Sequence, residues 1–429
     1  MNPLYVELQW LPRAPQEFSN KLRALDGLAN PPWKEFQALA SHALDLNQLT
    51  KLAKSIGRAR AHLNSDRKSS NFFLPFRLAV LSNSTIDMIV PALVASAARH
   101  GILLEVIQPV YDQVAQEAMA PDSMVNQSKP DAVLFALDYR ALPLKFSPGD
   151  PAVSTATIQG AIGYLQALRN GIKANSNAVC IFQTFAPPVE TLFGSLDFAL
   201  PGTPKSLIDN INRELAEFVF GSGDVLLDVA GLAETVGLAG WHNPQLWNMA
   251  KFSFSAELIP LYAEHVARTV AALRGKSRKV LVLDLDNTLW GGTIGDDGIE
   301  GIHIAQGDAT GEAHLAVQRF ALDLRQRGIL LAVSSKNSDE VARAPFEQHP
   351  EMLLKLEHFT VFQANWDDKA TNIQAIAAEL SLGLDAIVFL DDNPVERGLV
   401  RSLLPQVAVP ELPEDPAFFC EDACRSRIL

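Results

Sequence analysis

The chain has 429 residues, 48% of them hydrophobic and 20% charged, enough apolar content to fill the cores of about two or three domains. Its 36 Lys and Arg against 49 Asp and Glu leave a net charge of -13, which repels phosphate backbones and argues against a nucleic-acid partner. Three cysteines (Cys180, Cys420 and Cys424) are too few for a secreted disulfide framework or a four-thiolate zinc site. The first residues show no basic segment followed by an apolar run, and no uncharged apolar window of about 18 residues occurs, so the expected location is the cytoplasm, with no membrane partner.

In chain order, residues 1–70 read as a helical N-terminal section, with apolar residues at helical spacing over 15–25, 33–43 and 46–63 and a polar loop over 64–71. Residues 71–273 alternate short β-rich runs (78–81, 103–107, 132–137, 178–182 and 225–229) with amphipathic stretches, the pattern of a parallel sheet with helices on both faces. The basic segment 274–279 reads as a linker. Over 277–429 the alternation restarts: strand 280–283, helix 311–327, strand 329–333, helix 367–380 and strand 386–390. The expected fold class is therefore α/β, with two Rossmann-like parallel-sheet domains after a helical section.

The strongest chemical signal is Asp284-Leu285-Asp286-Asn287-Thr288, directly after the first strand of the last domain. Two carboxylates leaving a strand end can face one pocket beyond the carboxyl edge of a parallel sheet, where ligands bind in such folds. Alone, this pattern is more often a capped turn. Three further groups meet the same edge: Ser334-Ser335-Lys336-Asn337 after the next strand, Lys369 at a helix start, and Asp391-Asp392-Asn393 after the strand ending at Leu390.

The order of these groups resembles the haloacid dehalogenase superfamily of phosphoryl-transfer enzymes. The resemblance implies Asp284 as nucleophile and Asp286 as general acid and then base. It implies Thr288, Ser335 and Lys369 as holders of the phosphoryl oxygens. It also implies a Mg²⁺ ion held by Asp284, the backbone carbonyl of Asp286, Asp392 and Asp391; hard oxygen ligands suit that ion better than zinc. Only 33 residues separate Ser335 from Lys369, too few for a cap domain, so an open, capless site is expected, covered by a flap over 290–298 or by another domain.

The stretches LDLDNTLWGGTIGDDG, Ser335-Lys336-Asn337 and FLDDNPVER look like the FkbH-like branch, whose middle region is similar to an SGNH-hydrolase domain. That branch implies transfer of a glyceryl unit from 1,3-bisphosphoglycerate to the phosphopantetheine arm of an acyl carrier protein in polyketide-type biosynthesis, with phosphate removed on the way. Many relatives carry Cys before the Ser-Lys-Asn step, where this chain has Ser334. If that position bears the thioester in relatives, this protein uses another nucleophile or lacks the acyl step. Cys180, in an apolar strand, reads first as structural. Cys420 and Cys424, four apart in an expected terminal helix, read as incidental thiols.

In the middle domain Ser84 occupies the turn where an SGNH nucleophile would sit, although Ser84 and Asp87 also have the spacing of a helix capping box. The glycine-x-asparagine block of SGNH hydrolases is replaced by Leu137-Asp138-Tyr139-Arg140, and His242 lacks an aspartate three residues before it. Carrier binding, or covering the open phosphatase pocket, is expected here rather than hydrolysis. Lys51, Lys54, Arg58 and Arg60 form either a docking stripe for an acidic carrier or a solvated helix face. Two other functions remain open at this point: a stand-alone phosphatase of a small phosphoester or phosphoprotein, and an inactive carrier-binding scaffold.

Overall fold

The computed structural model describes residues 3–28, 31–62 and 73–420. The expected loop over 64–71 and Cys424 lie outside the described residues. The chain divides into two compact units, one of residues 1–7, 15–40 and 44–274, the other of 8–14, 41–43 and 275–429. No helix among the described residues is long and apolar enough to cross a membrane.

The first unit is built on five parallel strands, β1 (Leu74–Ser82), β2 (Ile102–Ile107), β3 (Ala132–Ala136), β4 (Val179–Gln183) and β5 (Val225–Leu227), in the order β2-β1-β3-β4-β5. Helices cover both faces, so the central strand is apolar throughout; all five residues of β3 are buried. The helices Phe18–Asp26, Trp33–Ala40 and Leu46–His62 belong to this unit. Of the basic residues on the last of them, Arg58 pairs with Asp26 at 2.6 Å and Arg60 with Glu105 at 2.5 Å.

The second unit has four parallel strands, β6 (Val280–Leu283), β7 (Leu330–Ser335), β8 (Phe359–Ala364) and β9 (Ile387–Leu390), in the order β8-β7-β6-β9. Every residue of β6 and β9 is buried, each large aliphatic side chain contributing roughly 1.5–3 kcal/mol. The two parallel sheets agree with the fold class expected from the sequence. β8 has no counterpart in that reading, because it is an edge strand whose Thr360 and Gln363 interrupt the apolar run. Its pairing with β7 also slips once, between Leu331 and Ala332. No further sheet lies between β6 and β7 or between β7 and Lys369, among the described residues, other than β8 itself.

Candidate phosphoryl-transfer site

Register decides what meets at the edge of the second sheet. Leu283 pairs with Val333 on one side and Leu390 on the other, so Asp284, Ser334 and Asp391 open the next row together. The chain leaves β6 toward β7 and later returns to its other flank at β9, which makes the crevice beyond β6 a topological switch point.

Asp284 is fixed by its own N–H, which donates to the Leu390 carbonyl at 2.9 Å. Lys369 is the first residue of the helix Lys369–Glu379, whose N-terminus is capped by Asp368 accepting from the Thr371 N–H at 2.9 Å. That helix start aims Nζ inward, where it donates to Asp284 Oδ1 at 2.5 Å and the Ser334 carbonyl at 2.6 Å, with Asp391 Oδ2 at 3.5 Å. One oxygen each from Asp284, Asp391 and Asp392 lies within 4.8 Å of the others.

Three carboxylates this close disfavour one another's charge. Burial raises the Asp284 pKa despite Lys369. Burial first, and the neighbouring Asp284 charge second, push Asp391 up to about 7, and the same two causes raise Asp392. Burial also opposes the charge on Lys369, but Asp284 and Asp391 outweigh it and hold that pKa above the ordinary lysine value. Asp391 Oδ2 is buried with no hydrogen-bond partner. A trio of hard oxygens short of positive charge is the donor set that a divalent cation satisfies.

The remaining groups are held by donors at fixed places. Asp286 accepts from Trp290 Nε1 and the Ile294 N–H through Oδ1, each at 3.0 Å, and from Asn337 Nδ2 through Oδ2 at 2.8 Å. Asn337 Nδ2 also donates to Ser335 Oγ at 3.0 Å, tying the end of β7 to Asp286. Thr288 Oγ1 accepts from the Asp392 N–H at 3.2 Å, and its carbonyl receives a hydrogen bond from His314 Nδ1 at 3.0 Å. Burial lowers the His314 pKa, so the ring donates as a neutral imidazole. The segment of the expected flap carries the short helix Ile294–Gly301, closed off by an isolated bridge in which Gly291 and His303 exchange hydrogen bonds at 3.1 and 2.8 Å. Gly292 turns it at φ +92°, a conformation that disfavours any side chain, while its N–H donates to Asn287 Oδ1 at 2.9 Å.

Two groups with no role assigned from sequence prove central. Arg397 Nη1 donates to the carbonyls of Asp391 and Asp392 at 2.9 and 2.6 Å, while Nη2 and Nε pair with Glu411 at 3.0 and 3.2 Å. Asn337 is the other. Both stand inside motifs quoted above, but a motif does not state which backbone its side chains reach. Ser334 touches the site only through its carbonyl; its Oγ is buried without a partner.

The secondary candidates fall in the first unit. Ser84 follows β1 at the β1/β3 switch point, buried, its Oγ 2.9 Å from Ser82 Oγ and donating to Ser253 Oγ at 3.3 Å. The capping-box reading is corrected: the helix begins at Ile89 with Met88 as its cap, and Asp87 accepts instead from Gln108 Nε2 at 2.8 Å. A turn at residues 87–88 precedes the helix, which leaves Ser84 five residues short of its start. Asp138, in place of the missing glycine block, exchanges two hydrogen bonds with the Asn83 amide at 2.8 and 3.0 Å. His242 Nε2 donates to the Pro187 carbonyl at 2.8 Å, and no hydrogen bond joins it to Ser84. Cys180 is buried in β4, where burial and then Asp224 push its thiol up to about 12. Cys420 is half-buried against the core of the second unit.

Residues 77–271 match the family model for the FkbH N-terminal domain. The chain is similar to the solved N-terminal part of the protein BF1531 from Bacteroides fragilis, which contains a phosphatase domain and is complexed with Mg. Identity is 28% over 90% of this chain and 98% of that one, with a TM-score of 0.79. A second solved structure is that of the HAD family enzyme BT-2542 from Bacteroides thetaiotaomicron, in complex with magnesium and inorganic phosphate. It is 14% identical over 32% of this chain and 96% of that one, with a TM-score of 0.23. No curated protein matches the chain.

Proposed function

We propose that the chain is a member of the FkbH-like family and a Mg²⁺-dependent phosphatase acting through Asp284. The observation that carries this reading is the trio Asp284, Asp391 and Asp392, with oxygens within 4.8 Å of one another beside a buried Lys369. Asp284 attacks phosphorus and forms an acyl-phosphate as the ester oxygen leaves with a proton from Asp286. Asp286 then takes a proton from water, whose attack frees phosphate and regenerates Asp284. Lys369, Ser335 Oγ and Thr288 Oγ1 hold the phosphoryl oxygens. Mg²⁺, held by Asp284, Asp391, Asp392 and the Asp286 carbonyl, would supply the charge that lets a carboxylate approach a phosphate dianion.

The finer reading is that the phosphate is removed from a glyceryl unit derived from 1,3-bisphosphoglycerate, which is loaded on an acyl carrier protein in polyketide-type biosynthesis. The family supports it. With Ser334 where many relatives carry Cys, and the Cys180 thiol raised to about 12, the acyl group passes from its phosphate to the carrier's own phosphopantetheine thiol, releasing phosphate. Ser334 equally favours a second reading, a stand-alone phosphatase with no acyl step.

One assay separates these. The chain is mixed with 1,3-bisphosphoglycerate, Mg²⁺ and holo carrier protein, and both released phosphate and carrier mass are followed. A glyceryl adduct supports transfer, and phosphate without an adduct supports the stand-alone enzyme. Phosphate release that survives Asp284→Asn unchanged sinks the nucleophile assignment.

A further inference from the structure

One cation beside the site has no part in the chemistry above. Lys336 follows Ser335 at the end of β7, and its Nζ donates to Glu396 Oε1 at 2.5 Å. Glu396 lies in the first turn of the helix Pro394–Leu403, just beyond β9. β7 and β9 are not neighbours, because β6 lies between them. The ion pair therefore spans the carboxyl end of β6, where Asp284 leaves the sheet.

The Lys336 side chain is 41% exposed and that of Glu396 13% exposed. The Lys336 end of the pair is open to water, so its ammonium can change partners. The second Glu396 oxygen is buried with no hydrogen-bond partner, so releasing Lys336 from Glu396 carries a cost that the incoming anion has to meet. Lys369 is committed to Asp284, the Ser334 carbonyl and the reacting phosphoryl group, so its three N–H donors leave none for a second anion. Meanwhile Asp284, Asp286, Asp391 and Asp392 repel any negative group carried beyond the reacting phosphate.

We propose that Lys336 is a specificity-determining residue that exchanges Glu396 for a second anionic group on the substrate, a phosphate or a carboxylate. This rests on the Asp284 reading and adds to it the residue that would favour a phosphoester bearing another anion a few bonds away. An ester without one leaves the Lys336–Glu396 pair closed. Glu396 is the internal competitor, and it sets how much the second anion must contribute.

Three esters test this: propyl phosphate, propane-1,3-diyl bisphosphate and 3-phosphooxypropanoate. Binding is measured by calorimetry on the full chain with Mg²⁺, in an Asp286→Asn background that preserves the ester. Lys336→Met is expected to weaken the two-anion esters about tenfold more than it weakens propyl phosphate, and Lys336→Arg to restore most of the difference. Glu396→Gln is expected to tighten the two-anion esters about threefold by removing the competitor. A purely structural strap predicts that both changes weaken all three esters together, and that result overturns the proposal. Turnover of the chain with Asp286 intact is read in parallel. If no phosphate is released, the Asp284 reading falls, while the binding ratios still decide the role of Lys336.

Discussion

Asp391 concentrates the electrostatic tension of the site. Its pKa, held near 7 by burial and by Asp284, stands above the ordinary aspartate value of 3.8. A raised carboxyl pKa means that the folded chain keeps a proton which the unfolded chain gives up. Stability is then complete below the ordinary aspartate range and is lost as pH rises through about 7. Mg²⁺ favours the ionised trio and reverses the loss. The rise in Tm on adding Mg²⁺ should therefore be larger near pH 8 than near pH 5, and equal rises would show that these carboxylates do not hold the ion. At the same scale, Asp286→Asn should lower kcat about 10²- to 10⁴-fold for an ester with a poor leaving group. The drop should be smaller for p-nitrophenyl phosphate, whose leaving group needs no proton. Equal losses on the two esters would remove the general-acid role.

The loop after β9 works as one element because Arg397, at 4% exposure, braces it from below. Its guanidinium holds the carbonyls of Asp391 and Asp392 and pairs with Glu411, which also accepts from Arg401 Nη1 at 2.5 Å. Arg397→Ala should cost about 1–3 kcal/mol of stability by leaving the Asp391 and Asp392 carbonyls without this donor, while Arg401 still compensates Glu411. It should also weaken Mg²⁺ binding about 10- to 100-fold, read by calorimetry on the folded fraction. Arg397→Lys should recover only part, since one ammonium cannot span both sets of partners. Undiminished Mg²⁺ affinity in Arg397→Ala would show that the acidic loop holds its shape unaided. The flap is a second element of this kind, since Trp290 Nε1 and the Ile294 N–H both end on Asp286.

Across the whole molecule, sequence order and spatial grouping part company. Residues 8–14 and 41–43 stand within the helical N-terminal section yet cluster with the second unit. There the Ala43 N–H donates to the Pro12 carbonyl at 2.8 Å, and the Glu411 N–H to the Trp10 carbonyl at 2.9 Å. Trp10 is fully buried. Trp10→Ala should cost about 3–5 kcal/mol, and the loss should fall on the unfolding of the second unit, seen as lost Mg²⁺-dependent stabilisation in calorimetry. A chain begun at residue 275 lacks both segments and should be less stable than the same unit within the full chain. Equal stability would make these segments passengers.

Two parallel sheets follow from the residues alone, because strands buried on both faces must be written as continuous apolar runs such as Val280–Leu283 and Ile387–Leu390. The sequence also marked Asp284, Asp286, Ser335, Lys369, Asp391 and Asp392, since polar residues at successive strand ends of one sheet meet at one edge. What those groups do to each other depends on the folded arrangement. That Lys369 lies between Asp284 and Asp391, that Arg397 carries the acidic loop, and that Asn337 joins Ser335 to Asp286 are matters of distance between segments far apart in the chain. The start of the helix after β1 was misplaced for the same reason: Ser84 has the right spacing for a cap, but its hydroxyl is taken by Ser82 and Ser253. Local pattern sets which face of an element is apolar, whereas hydrogen-bond partners and charge depend on what packs against it.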